Sequence, residues 1–196
     1  ENIYLLLIMT ELIISLAVGI ALSACSGFRV FVPMLVANLA TRFQVLDLSN
    51  GFEWLSSPTA TYILGAATVA EIMAYYIPVV DNLLDTITTP ASFVAGTILT
   101  TSFLKIDSPE LQWTLGILAG GGVAGTIQAG TGLLRLASTK FTGGFGNAFF
   151  ATFENSIAVI FSLLTLWLPV LVAVLGVLLF VFLLKKVLKR LPTKNK

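Results

Sequence analysis

Runs of fifteen to twenty-five mostly apolar residues, broken by proline, glycine and short polar stretches, limit what this chain can fold into more than any other feature. A helix needs roughly 17–25 apolar residues to cross a bilayer. Within hydrocarbon each backbone amide must find a partner inside the protein, which leaves helices or closed barrels. The runs are too long for barrel strands, so they predict helices over residues 3–24, 28–43, 58–77, 90–104, 110–134, 147–167 and 169–184. The expected fold is all-α: one polytopic transmembrane bundle of six to seven spans over residues 1–196, with residues 185–196 as a basic cytoplasmic tail.

The punctuation has physical reasons. Ser26-Gly27 breaks the first run. Pro58, Pro90 and Pro169 suit helix starts, where a missing amide hydrogen costs nothing. Pro78 stops the third helix. Residues 44–57 form a polar, aromatic loop with Trp54, suited to an interface. Residues 79–87 are amphipathic, and Asp81 and Asp85 share a face at a spacing of four. Residues 135–146 read as a polar, glycine-rich connection.

Composition narrows the function classes. The chain is 57% hydrophobic and 11% charged, against about 25% charged in soluble domains. A net charge of +1 gives no reason to expect a nucleic-acid partner. There is no histidine, and Cys25 is the single cysteine. An intrachain disulfide, a histidine-based triad and a histidine/cysteine zinc site are therefore excluded. A bound metal would need oxygen ligands and would be a hard ion. No cofactor, metal site or enzymatic constellation is expected. Leu22-Ser23-Ala24-Cys25 resembles a lipoprotein cleavage site, but no basic segment precedes it and Glu11 interrupts the run. The chain begins with Glu1 rather than methionine, so its start reads as truncated or processed.

Basic residues set an orientation. Lys185, Lys186, Lys189, Arg190, Lys194 and Lys196 belong on the cytoplasmic side by the positive-inside rule. Seven spans then put Arg29, Arg135 and Lys140 inside and only Arg42 and Lys105 outside. The expected location is the bacterial inner membrane or an internal membrane derived from it. A faint repeat pairs Ile63-Leu64 and Val69-Ala70 with Ile117-Leu118 and Val123-Ala124, and Gly27-Phe28 and Asn38 with Gly144-Phe145 and Asn155. Both pairs run the same way across the expected membrane, so the repeat would be parallel.

Glu11, Glu71 and Glu154 interrupt apolar runs, and intramembrane carboxylates are costly enough to mark functional sites by default. Glu71 falls about 18 Å into its helix, near the expected midplane. Glu11 falls nearer the outer half. Glu154 falls nearer the inner half and has Thr152, Asn155 and Ser156 beside it. One reading is a proton or cation path; the other is separate glutamates tied to backbone and arginine. Arg29, Asp81, Asp85, Arg135 and Lys140 form a cytoplasmic polar cluster, as ion pairs fixing helix ends or as a gate. The glycines of the fifth helix (116, 120–122, 125, 130, 132) permit close packing on Ala66, Ala70 and Ala74 of the third, or local unwinding that exposes carbonyls to a cation. Gln128 offers a donor and an acceptor at depth. Residues 143–147 could hold an anion on helix amides or form a plain turn.

Several of these residues recur as an ordered set: Gly27-Phe28-Arg29-Val30-Phe31-Val32-Pro33, Glu71, Ile77-Pro78-Val79-Val80-Asp81-Asn82, Asp85, Gly143-Gly144-Phe145-Gly146-Asn147 and Glu154. Together they resemble the bacterial integral-membrane family known as domain of unknown function 4126, over about residues 22–167. The resemblance implies a multi-pass membrane protein and no particular activity. The chain departs from relatives at Tyr75 and Tyr76, where an acid and a lysine are common. It departs again at Gln128 and Thr131, where a histidine and a lysine are common, and at Ala148, where a proline is. A histidine- or lysine-dependent relay is thereby put in doubt, and Arg29, Glu71, Asp81, Asp85 and Glu154 remain as the shared polar set.

The expected function is a small helical transporter or channel for a proton or hard cation, with Glu71, Glu154, Arg29, Glu11, Gln128 and Asn155 as candidate transport residues. The alternatives are a non-transporting membrane subunit or assembly factor, and a lipid-handling protein. Expected partners are the lipid bilayer and further copies or partner membrane subunits.

Overall fold

A computed structural model describes residues 2–77, 80–143 and 146–188, with the backbone alone for residues 2, 81, 82, 187 and 188. The described residues form seven helices: α1 (Asn2–Ser26), α2 (Phe31–Arg42), α3 (Pro58–Ala74), α4 (Val80–Phe103), α5 (Pro109–Thr142), α6 (Asn147–Leu164) and α7 (Pro169–Leu188). A 3-10 turn, Glu53–Ser56, precedes α3. The described residues contain no strand, and the fold is an all-α bundle.

Among the described residues four stretches are long and apolar enough to cross a membrane: Ile3–Ser26, Pro109–Thr142, Asn147–Leu164 and Pro169–Lys186. The other three helices differ from simple spans. α2 has 12 residues, about 18 Å, which is short of a bilayer core. α3 has 17. α4 has 24 residues but is rich in threonine and serine.

Local chemistry sets the helix ends. Ser57 caps α3 by accepting from the Ala60 amide at 3.1 Å, with Pro58 in the first turn. Ser108 caps α5 from the Leu111 amide at 3.3 Å, ahead of Pro109. Gly143 closes α5 in the left-handed region, at φ 63°.

Three sequence expectations are corrected. Pro90 does not open a helix; α4 runs through it from Val80. Thr89 donates to the Asp85 carbonyl (2.8 Å) and Ser92 to the Thr89 carbonyl (2.9 Å), so side chains take up backbone acceptors around the proline. Residues 135–142 are not a connection but the last two turns of α5, whose Thr139 and Thr142 hydroxyls bond back four residues. The glycines of α5 pack against α4 rather than α3. Gly116–Gly121 forms a π-helical turn, and a Cβ on Gly120 would run into the Gly96 carbonyl and Thr100. Ala66 and Ala70 of α3 are exposed. Pro78, Gly144, Phe145 and the basic residues after Leu188 lie outside the described residues.

α1 is the central post. Its second half packs on α4 and α7, with Val18 and Leu22 joining Met34, Leu64 and Leu99, and with Ala17, Ala21 and Cys25 meeting Val172 and Ala173. Ala24 meets Val123, Ile127 and Leu183 on another side. α7 is peripheral and exposes Val170, Leu171, Val174, Leu178 and Phe182. One end of the bundle is closed by polar bonds. The Ser49 amide donates to the Ser102 carbonyl (2.7 Å), and Gln112 donates to the Thr101 and Leu104 carbonyls (3.0 and 2.8 Å). The opposite end gathers the α1–α2 turn, the end of α3, the start of α4, the second half of α5 and the first half of α6.

Candidate functional site

The α1–α2 turn plants an arginine inside the bundle. Amides of Gly27, Phe28 and Arg29 bond back to Ala24 and Cys25, forming a tight reversal. Gly27 has no room for a side chain, since Ile127 and the Ala124 carbonyl press on it. The Arg29 guanidinium is therefore carried against α6. It donates to Glu154 Oε2 (2.9 Å), Asn155 Oδ1 (2.5 Å), the Ala151 carbonyl (3.2 Å) and its neighbour Phe28 (2.7 Å). Ala151, Glu154 and Asn155 meet it together because spacings of three and four share a helix face.

A second arginine joins from α5. Arg135 lies 2.6 Å from Asp85 Oδ1 and 3.4 Å from Glu154 Oε2, so Glu154 sits between two guanidinium groups. Tyr75 lies beneath both, with Arg29 3.9 Å and Arg135 4.4 Å from its ring centre. Its hydroxyl reaches Asp85 Oδ1 (3.2 Å) and Thr88 (2.9 Å). Gln128 donates to Thr88 at 2.9 Å and to Asp85 at 3.3 Å.

Glu71 lies one helical turn before Tyr75 and meets a different kind of partner. Its two carboxylate oxygens accept from the amides of Val30 (2.8 Å) and Phe31 (3.0 Å). Those amides open α2, where backbone donors are unpaired and the helix dipole favours negative charge. Among the described residues no cation lies within ion-pair distance of Glu71.

Burial makes the site demanding. Arg29 is 0% exposed, Arg135 1%, Glu154 4% and Glu71 6%. The Asp85 side chain, at 12%, is the most open of the five. Buried charges persist only when paired and hydrogen-bonded, and here every element at this end contributes a partner.

The family model described as a domain of unknown function (DUF4126) matches residues 16–190. The chain belongs to this family. The DUF4126 match contains all five charged groups of the site and begins after Glu11. No curated protein and no solved structure matches the chain.

The structure thus merges two groups that the sequence keeps apart. Glu154, Asn155 and Gln128, read as a transport path, share one network with Arg29, Asp85 and Arg135, read as an end cluster, and Glu71 sits beside it on the amides that follow Arg29. Glu11 does not join it. That residue is exposed near the other end, on a groove with Asp47 and Lys105. Lys140 is exposed, beyond Arg135 on α5. The Asp81 side chain lies outside those described. Tyr75 and Thr88 are members the sequence reading missed. The spacing of Tyr75 from Glu71 and of Thr88 from Asp85, four and three residues, was the available signal. Among the described residues no three acidic or thiol groups form a metal cage.

Proposed function

We propose that this chain is a proton-coupled helical membrane transporter, and not an enzyme, with the buried charge cluster as its proton site. One observation carries the reading: among the described side chains, two arginines and three carboxylates gather at one buried end of the bundle, from the α1–α2 turn, α3, α4, α5 and α6, with one negative charge in excess. A buried site favours neutrality, and a proton supplies it. A hard cation fits less well, because Arg29 and Arg135 would repel it. Glu71 is the receiving group, since amides rather than an arginine hold it. Loading Glu71 weakens its hold on the first turn of α2, and release restores that hold. Proton binding is thereby linked to the position of a short helix. The transporter resides in the bacterial inner membrane, or an internal membrane derived from it, with the C-terminus cytoplasmic.

Purified protein in proteoliposomes should dissipate an imposed pH gradient, and Glu71→Gln should abolish the flux while retaining the fold. Undiminished flux in Glu71→Gln would remove Glu71 from the mechanism. A second reading, a non-transporting subunit, has its own support in residues 3–14 of α1, which are exposed along most of their length and apolar apart from Thr10 and Glu11. Gentle extraction would then yield a stoichiometric complex, and the purified chain would pass no protons.

A further inference from the structure

The bundle is open on the side where α6 and α7 meet. α7 is drawn tightly onto α1, because Gly176 rests against Ala24 with no space for a Cβ. α6 and α7 themselves touch little. Between them lies a cleft of about 140 Å³, room for part of an acyl chain, lined almost wholly by carbon. Cys25 and Phe28 form its floor, Ile157 and Phe161 one wall, and Leu175 and Leu179 the other.

The polar groups beyond the cleft suggest its occupant. Leu179 and Lys186 are two turns apart on α7, so they share a face about 10 Å apart along the axis. Lys185 and Lys186 are exposed, and α7 carries no acidic residue. Glu154, the nearest acid on α6, is turned inward and bound to Arg29 and Arg135. A cationic rim one acyl-chain reach from a hydrocarbon slot matches a molecule with an anionic head and an apolar tail. Basic residues at a membrane surface attract such lipids.

The geometry points to this cleft as a binding site for one anionic phospholipid, its acyl chain between α6 and α7 and its phosphate on Lys186, with Lys185 adding to the field. The site does not depend on proton transport.

Leu175→Trp puts a fluorophore on the cleft wall. Reconstitution into phosphatidylcholine bilayers doped with chain-brominated phosphatidylglycerol, or with chain-brominated phosphatidylcholine, reads which lipid reaches it. The tryptophans at 54, 113 and 167 remain in both samples, and the protein without Leu175→Trp supplies their background. Phosphatidylglycerol should quench the added signal at about fivefold lower mole fraction than phosphatidylcholine. Lys186→Gln, an exposed substitution, should erase most of that preference. Equal quenching by the two lipids would show annular lipid only and overturn the site. A preference that survives Lys185→Gln/Lys186→Gln would overturn the assignment of the headgroup.

Discussion

Arg29 shows how much one residue can organise. Its planar fork bonds a carboxylate, an amide and two carbonyls at once, which a lysine cannot reproduce. Removing it leaves Glu154 short of a partner in a buried site, and breaking a buried pair costs about 3–5 kcal/mol. Arg29→Ala and Arg29→Lys should therefore both melt well below the parent in detergent. Equal melting of Arg29→Lys and the parent would mean that charge alone is used. Glu71→Ala removes the acceptor for two amides of α2 and should cost about 1–2 kcal/mol. Its effect should centre on α2, seen as faster hydrogen exchange there than in α7. That Glu71, Glu154 and Arg29 are charges set in apolar surroundings is legible in the sequence, and the structure buries all three. Tyr75 is not legible in that way. A tyrosine beside a helix stop reads as an interfacial anchor, and only the fold reveals two guanidinium groups stacked on it.

The elements explain where the sequence reading went astray. A proline after an amphipathic stretch reads as a new helix, yet threonine and serine hydroxyls let α4 continue through Pro90. The glycines of α5 announce a close approach without naming the partner, because small residues fit any backbone. The α4 side supplies the match at Gly96, Thr97, Thr100 and Thr101. Gly120→Ala would collide with the Gly96 carbonyl and Thr100, and overpacking of this kind costs about 1–3 kcal/mol. Gly122→Ala, with nothing within 4 Å of its Cβ, should be neutral or stabilising by up to about 1 kcal/mol. Thermal melts of the two variants check the contrast. Equal destabilisation would mean that these glycines serve flexibility rather than α4–α5 contact.

At the scale of the molecule, apolar run length is enough to reveal an all-α bundle. It does not reveal that α2 is too short to cross alone. The bundle has two polar ends, one near Asp107 and one near Lys140. Cysteine replacements at these positions, on a background with Cys25 replaced by serine, should react with an impermeant maleimide from opposite faces of sealed vesicles. Labelling from the same face would refute the arrangement. The central claim is that the convergent charges hold one exchangeable proton, with Glu71 receiving it. Infrared absorption of the reconstituted protein reads carboxyl protonation directly. The other acidic residues also absorb when protonated, so the reading is the difference between the parent and Glu71→Gln spectra: it should contain a carboxylic-acid carbonyl band at low pH that fades as the pH rises. A difference spectrum without that band at every pH where the protein stays folded would contradict the claim.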